Sequence, residues 1–535
     1  MQVRNLFFIG MAVVLAATGC TKNIDQLPTS NLYDDVYYKN IGDFESALVG
    51  CYNGMQKSMF DEWSVTELRS DNAIMGNPTS GSIPNRELSD LDLLMPNPYH
   101  ERVYNYWLNS YYNIYNTNKI LSNLAVKYDA VSGTLNYDTV TVPVTQDQRR
   151  NIAAQASFIR AYHYFNLVRL YGGVFLIDKP VSPAASKMIN RSSVAEIYKL
   201  IIADLINAKD NADAASFSSI NQSNLGRANS WCAKALLAKV YLTLNQKTQA
   251  QSLLQDIIAN GGYSLQSNYA NVFSITNEMN SEILFAVRYK SGKVGLGSPF
   301  CNIFAPGSSG NYIVNGDGDG YDYPAIDLYQ VASGTLGDSV RADAYNSSDP
   351  RRTFNIKFYG TKLYSNKFIQ YNEFYHTSPL VYEDDGENDW PVIRYADVML
   401  MLAEAQGFSA PSSVQLINQI RSRVGLAPVN PSNQSQFNQC LSSERRFEFA
   451  FENQRWFDLL RFNTTLSPNF AENTLKAHFA YMYNSGGGNH YNQYMPPIIL
   501  NNLLNQVDEN HLLLPIPQRE IDNNTNITIQ QNPGY

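Results

Sequence analysis

From Ile41 onward the apolar positions recur every three to four residues, and with breaks for loops they continue to do so to about Asn260. That period places apolar side chains along one helix face. It predicts helices over Asp43 to Met59, Glu101 to Tyr128, Gln146 to Tyr171, Ser193 to Ala208 and Ala228 to Leu244, the last followed closely by Lys247 to Ile258. Start signals agree with the period: Ser193 stands three residues before Glu196, the spacing of a capping box. Between roughly Gly261 and Trp390 the period fades into Gly, Ser, Asn, Asp and Tyr, with one strand pattern at Glu282 to Tyr289. An irregular insertion of that length inside a compact protein is usually functional.

One stretch reads as a repeat. Asn229 to Leu265 is a helix, a short Asn-Gln-Lys turn, a second helix and a Gly-Gly stop, close to the helix-turn-helix unit of tetratricopeptide repeats. Ala233, Ala235 and Ala238 let its two helices approach. Asn109 to Ala125 followed by Gln148 to Leu170 is a looser copy, and Tyr395 to Gly407 followed by Ser413 to Val424 another. Such units bury their apolar faces on one another. The expected fold is therefore mainly α, a tetratricopeptide-like helical scaffold with a loop-rich ligand-binding insertion that contains short strands. Its expected parts are helical repeats over 41–260, the insertion over 261–392 and a C-terminal part over 393–535 that packs on the repeats.

The N-terminus carries a different pattern. Arg4 supplies a positive start, Leu6 to Ala17 an apolar run, and Ala17-Thr18-Gly19 the small residues that precede a peptidase cut. The run is too short to span a bilayer. The cut falls before Cys20, so residues 1–19 resemble a lipoprotein signal peptide, Cys20 the lipid-bearing residue, and 20–40 a polar tether. Two or more acyl chains anchor a protein stably to a membrane.

With 535 residues, 44% hydrophobic and 16% charged, the rest of the chain is long enough for a large core. A net charge of −8 and the lack of any basic stripe argue against a nucleic-acid partner. The 36 Tyr and 25 Phe change the picture more, because much of the Tyr lies in polar, Gly-rich stretches where it can offer a flat apolar face and a hydroxyl to a polar ligand. Cys51, Cys232, Cys301 and Cys440 are far apart with no metal-ligand spacing, and Cys232 sits in an apolar run that predicts burial. The six His fall in no metalloprotease or Cys-paired pattern, His163 reading as a core or seam residue, and no nucleophile elbow or phosphate loop is present.

Two acidic loops remain. Asn315, Asp317 and Asp319 with Gly320 match the first positions of a calcium loop, and Asp322 adds a carboxylate. The twelfth position is Ile326, with Asp327 one place late, so calcium competes here with a solvated Asp/Gly turn. Glu383 to Asp389 reads as a solvated face.

The C-terminal third gives the chain a relation. It contains Ile393-Arg394-Tyr395-Ala396-Asp397-Val398 leading to Met401-Leu402-Ala403-Glu404-Ala405, then Asn418-Gln419-Ile420-Arg421, Glu444-Arg445-Arg446-Phe447-Glu448-Phe449 and Arg455-Trp456-Phe457-Asp458-Leu459-Leu460-Arg461. It ends with Leu514-Pro515-Ile516-Pro517 and Gln531-Asn532-Pro533-Gly534-Tyr535. Upstream stand Ser70-Asp71-Asn72, Trp107 with Asn113 and Asn118, and Arg160-Ala161-Tyr162 before Leu170-Tyr171-Gly172-Gly173. In this order the motifs resemble the SusD/RagB family of nutrient-binding surface lipoproteins. Read physically, the interleaved charges and aromatics of 444–461, together with Asp397 and Glu404, are scaffold, pairing charges across a buried seam.

The resemblance implies an outer-membrane lipoprotein that requires no cofactor, captures an oligosaccharide and delivers it to a SusC-like TonB-dependent transporter through the helical repeats. A peptide or other nutrient, as in the RagB branch, is the alternative ligand; a surface hydrolase is a third reading, since two carboxylates at a suitable separation are not visible in sequence. Sugar recognition needs aromatic faces with amides, carboxylates or Arg nearby. The expected ligand residues fall in two loop regions, Trp63, Arg69, Asp71, Asn72 and Tyr99 in the first, and Tyr289, Phe300, Phe304, Tyr312, Tyr321 and Tyr323 in the second, with Trp63 and Tyr312 the leading pair.

Overall fold

The computed structural model describes residues 37–75, 85–329, 344–360, 362–369, 382–484, 497–524 and 526–535. Cys20, the signal segment and most of the tether lie outside the described residues. No helix among the described residues is long and apolar enough to cross a membrane.

Four antiparallel helix pairs stack on one another. The first is α1 (Ile41–Val65) with α2 (Glu101–Asn123), the second α3 (Gln146–Tyr171) with α4 (Val194–Asn211), and the third α5 (Ser230–Thr243) with α6 (Lys247–Asn260). After the short helix α7 (Pro350–Asn355), the fourth pair comes from the C-terminal third, α8 (Tyr395–Gln406) with α9 (Pro411–Arg423), and α8 lies against α6. The tetratricopeptide-like scaffold is thus present: the first three pairs and one side of Tyr395–Gln406 share a main apolar core, while Ala396, Met399, Leu400 and Ala403 on its other side pack with Ile417, Ile420, Phe437 and Leu441 in a second one.

Local chemistry sets most of the helix ends. Ser193 and Glu196 form the anticipated capping box, the Ser193 side chain accepting from Glu196 N while Glu196 accepts from Ser193 N at 2.8 Å. α1 is longer than its apolar period suggests at both ends: a capping box of Asn40 with Asp43 starts it at Ile41, and it runs on past Met59 to Val65. α2 is shorter: Ala125 takes a left-handed φ of 52°, which ends the helix, and Val126–Asp129 turns into a hairpin with Thr134–Tyr137. The expected helix through Tyr128 is corrected accordingly; β-propensity at Val126 and Tyr128 prevailed over the helical period.

Two close fits hold the scaffold together. In the first, Gly54 of α1 meets Asn113 of α2 so tightly that a Cβ there would stand 2.5 Å from Asn113 Oδ1. Asn113 Nδ2 donates to Cys51 O at 2.9 Å and lies 2.8 Å from His163 Nε2 of α3. His163 is fully buried, and burial lowers its pKa to about 3, so it is a neutral core residue. In the second, Arg160 of α3 forks onto Asp204 of α4 at 2.9 and 2.7 Å and donates to Asn118 Oδ1 of α2 at 2.7 Å.

The chain's last segment returns to its early helices. Leu514 N donates to Leu170 O at 2.7 Å, and Asn532 Nδ2 donates to Tyr171 O at 2.9 Å, so two carbonyls at the end of α3 are satisfied from the other end of the sequence. Arg191 clasps the same segment through Gln530 O and Asn532 Oδ1, both at 2.6 Å.

The C-terminal motifs form a buried lattice of ions between α8, α10 (Gln434–Phe449) and α11 (Arg455–Thr465). Arg445 forks onto Asp458 at 2.7 and 3.0 Å and reaches Asp397 at 2.8 Å; Arg461 forks onto Glu404 at 2.8 and 3.0 Å. Asp397, flanked by Lys239 and Arg445, is held well below the usual carboxylate range despite its burial. These residues are scaffold, as the interleaving of charges and aromatics suggested.

The insertion is irregular with short elements. Ile283–Val287, where a strand was expected, pairs with Trp390–Arg394, and Ala73–Ile74 pairs with Tyr323–Pro324. The acidic loop at 383–389 differs from expectation: only Tyr382 to Asp384 are open to solvent at its start, and the rest clamps a neighbouring turn. Asp385 Oδ2 accepts from Gly292 N and Lys293 N at 2.7 and 2.9 Å, and Asp389 Oδ1 accepts from Tyr289 N at 2.9 Å. Its carboxylates satisfy backbone donors that a long loop would otherwise leave unpaired.

Candidate functional site

The C-terminal end of α1 and the first turn of α2 meet the insertion at one face. Phe60, 44% exposed, projects from α1, and the Arg102 guanidinium lies 6.0 Å from its ring centroid and 5.7 Å from that of Trp63. Arg102 also reaches Asp61 at 3.4 Å. From the insertion, Tyr321 lies nearly parallel to Trp63, 12° between ring planes and 6.4 Å between centroids, and stays partly open to solvent. Exposed Asp319, two residues earlier, feels the Arg102 charge. The face thus combines aromatic surface, one guanidinium and carboxylates, with Tyr312 (52% exposed) farther along the same loop, its ring 5.9 Å from that of Tyr359.

The expected site residues divide sharply by burial. Tyr99, Tyr312 and Tyr321 keep exposed or half-exposed rings, Tyr99 just before the His100 cap of α2 and three residues from Arg102. Trp63 is fully buried, with Phe304 edge-on at 5.6 Å, and Phe300 stacks on Phe304 at 5.6 Å and packs on Trp390 at 4.5 Å. Tyr289 abuts Phe300, and Tyr323 is buried in its strand pair. These five rings are buried beneath the face, so the expectation that they stand exposed is corrected.

Arg69, Asp71 and Asn72 are scaffold as well. Arg69 lies 4.0 Å from the Trp456 ring centroid and donates to His511 O and Leu512 O. Asp71 takes a fork from Arg455 at 2.7 and 3.0 Å, while Asn72 donates to Glu67 at 2.9 Å and accepts from Arg446 at 3.0 Å. Polar type and proximity to a Trp suggested a ligand role, but the complementary charges lie nearly four hundred residues away in sequence.

The calcium expectation fails on direction. Asp317 turns into its own loop and accepts from Gly310 N and Gly318 N at 3.0 and 2.9 Å and Ser308 N at 3.2 Å; those N–H groups, Gly310's foremost, lower its pKa. Asn315 gives its backbone carbonyl to Asn302 at 2.8 Å, Asp319 faces solvent, and Asp322 points inward beside Glu67. Among the described residues no group of three or more His, Cys, Asp or Glu is placed to hold a metal ion.

Sequence reasoning missed Phe60 and Arg102. Phe60 lies off the buried stripe of α1, and Arg102 puts a cation in a helix first turn, where the dipole favours an anion. Both irregularities are visible in the sequence once the helix registers are known.

Several carboxyls under the face have raised pKa values. Burial lifts Asp61, Glu62 and Glu67 each to about 7, opposed by Arg102 at Asp61, by Tyr162 foremost at Glu62, and by Asn72 foremost at Glu67. A carboxyl raised on folding contributes stability that is fully present below its unfolded pKa and is lost as pH rises through the folded value. The melting temperature is therefore expected to fall by at least about 4 °C between pH 5.5 and pH 8.5. Differential scanning calorimetry across that range checks this, and a flat profile would place these carboxyls near their ordinary values.

A stack of helix pairs that carries recognition groups on loops at one end is the architecture of a binding protein. The SusD family profile matches residues 361–535, and a second profile, described as starch-binding associating with outer membrane, matches residues 22–242. The chain belongs to the SusD/RagB family. SusD-like protein P2 of Formosa agariphila is 26% identical over 98% of both chains, and a SusD-like protein of Bacteroides ovatus is 28% identical over 59% of this chain and 60% of its own. Among solved structures, a laminarin binding SusD-like protein superposes with a TM-score of 0.70 at 24% identity, covering 93% of this chain and all of that one. Surface glycan-binding protein A from Bacteroides thetaiotaomicron, in complex with laminarihexaose, gives 0.66 at 18% identity over 91% of this chain and 98% of its own. At these identities the two structures establish the shared fold.

Proposed function

We propose that this protein is an outer-membrane lipoprotein, anchored through Cys20, that captures an oligosaccharide at the Phe60–Arg102–Tyr321 face and passes it to a SusC-like TonB-dependent transporter. The observation that carries the reading is the composition of that face. Sugar rings present apolar C–H surfaces rimmed by hydroxyls, and two ring systems flanking a guanidinium and carboxylates supply the complementary surfaces. The family, and neighbours whose names record laminarin and laminarihexaose, support a glycan over other polar ligands. Capture without cleavage fits the family. A single open face binds weakly, and enclosure by the transporter against the helical repeats would add contacts without demanding more of the face itself.

The test is titration calorimetry with neutral hexasaccharides of the laminari, cello, malto and xylo series. One series is expected to bind, and Phe60→Ala combined with Arg102→Ala is expected to weaken it at least about tenfold, or about 1.4 kcal/mol, with an unchanged melting curve. Equal affinity in the double variant would move the site elsewhere. Solubilised membranes that yield the lipoprotein without a TonB-dependent barrel would count against the delivery step.

A further inference from the structure

The helix pairs leave a cleft of about 800 Å³ well away from the face. It lies between the starts of α1 and α3, the end of α4 and the approach to α5. Glu45 stands at its edge, fifteen residues before Phe60 on α1 and so about 22 Å from it along the helix axis. That volume falls in the range of ligand sites.

A chain of hydrogen bonds across three elements holds the wall of the cleft in place. Ala228 N, just before α5, donates to the Tyr52 hydroxyl of α1 at 2.8 Å, Tyr52 donates to Gln155 Oε1 of α3 at 2.7 Å, and Gln155 Nε2 donates to Asn151 Oδ1 at 2.6 Å. Arg227 closes the side toward α1 through Glu45 at 2.7 Å. The relay ends on Asn151 as an acceptor, and the Asn151 amide N–H groups have no acceptor among the described residues. Asp147, Arg150 and Asn224 are exposed at the same cleft, and their side chains make no hydrogen bond or ion pair among the described residues. Walls already fixed lower the ordering cost that binding otherwise incurs.

The lining sets the ligand class. Among the described residues no aromatic ring lines the cleft, so a sugar would find no face to stack on, and an apolar ligand would strand the polar wall. The carboxamides of Asn151 and Asn224 instead present groups of the kind that pair with a peptide backbone, which carries one donor and one acceptor per residue. Asp147 and Arg150 add one charge of each sign, three residues apart on α3 and so about 5–6 Å apart at their Cβ atoms. That is too close to hold the two ends of an extended peptide, in which each residue spans about 3.3–3.6 Å. The two charges are therefore suited to neighbouring side chains of a strand that passes through. We infer that this cleft binds an extended internal segment of a partner protein, its backbone paired with Asn151 and Asn224 and an acidic and a basic side chain set against Arg150 and Asp147. The site is separate from the sugar face and does not depend on that reading.

The probe is a library of hexapeptides blocked at one end by fluorescein and at the other by amidation, scanned one position at a time by fluorescence anisotropy. The parent protein is expected to select Asp or Glu at one position and Lys or Arg at another. Arg150→Glu, at an exposed site without a partner, is expected to keep the parent's melting curve and hexasaccharide affinity and to turn the selected acid into a base. Asn151→Asp keeps the acceptor for Gln155 but loses the N–H donors, and is expected to weaken the selected peptide at least tenfold with the fold intact. No selection by the parent, or the same selection by a folded Arg150→Glu protein, overturns the inference and leaves the sugar face standing. Tenfold tighter binding of the selected peptide with free ends overturns the partner reading in favour of a free oligopeptide, and displacement of the peptide by any hexasaccharide of the panel overturns the peptide class.

Discussion

Arg394→Ala is expected to yield essentially no folded protein. Arg394 ends the strand Trp390–Arg394, and its guanidinium serves three buried carboxylates at once: Nη1 reaches Glu282 at 2.7 Å and Glu448 at 2.8 Å, and Nε reaches Glu452 at 2.7 Å. Its Nη2 also donates to Glu448 O at 2.7 Å, and every partner is essentially inaccessible to water. Removing the cation leaves Glu452 with Lys367 at 2.8 Å, and leaves Glu282 and Glu448 with Arg423 and, for Glu448, Arg351, in a region with no solvent to compensate. A broken buried pair costs about 3–5 kcal/mol, against a typical total stability of about 5–15 kcal/mol, and here three carboxylates lose one cation together. Arg86, which pairs with Asp90 from an exposed helix, is the contrast; Arg86→Ala should change stability by less than about 0.5 kcal/mol. Circular dichroism and soluble yield check Arg394→Ala and urea unfolding checks Arg86→Ala, and a folded Arg394→Ala protein with a urea midpoint close to the parent's would mean that the lattice contributes no net stability.

The second large effect is expected at Gly54. A methyl group there would stand 2.5 Å from Asn113 Oδ1, a separation that carbon and oxygen do not tolerate. Asn113 cannot withdraw cheaply, because its amide bridges Cys51 O and His163 Nε2, both buried. Gly54→Ala must therefore either separate α1 from α2 or abandon those hydrogen bonds. Overpacking costs about 1–3 kcal/mol, and leaving buried polar groups unmatched costs a similar amount again. Gly50, four residues earlier with open space around its Cβ position, is the control: Gly50→Ala should be neutral or stabilising through helix propensity. Equal destabilisation at the two positions would show that helix propensity, and not the close approach, sets the cost.

The helical scaffold was legible in the sequence because its information is local. The apolar period of α3 and the Ser193–Glu196 box each lie within a few turns of the chain, and both ends of α3 fall where the period places them. The strand at 283–287 and the burial of His163 were legible for the same reason. The face was only partly legible. Tyr321 and Tyr312 follow from aromatic residues in a Gly-rich loop, but whether a polar residue beside a Trp meets solvent depends on partners that sequence proximity does not reveal. Asp71 looks like a ligand residue until Arg455 is seen forked onto it, and Trp63 looks exposed until Tyr321 and Phe304 are placed over it. The calcium reading failed for a related reason: alternating Asp and Gly fix where carboxylates occur along the chain but not which way each turns.

The return of the last segment onto α3 also sets an order of events. The carbonyl of Leu170 takes its hydrogen bond from Leu514, and that of Tyr171 takes its shorter one from Asn532, both more than three hundred residues later, with Arg191 a longer local donor to Tyr171. Contacts over such separations form slowly, since the intervening chain must first be closed into a loop. The growing chain thus stays short of its final compact state until residues 514–532 have been made. For the exported lipoprotein proposed above such a delay would help, because a finished core would not pass through a translocation channel.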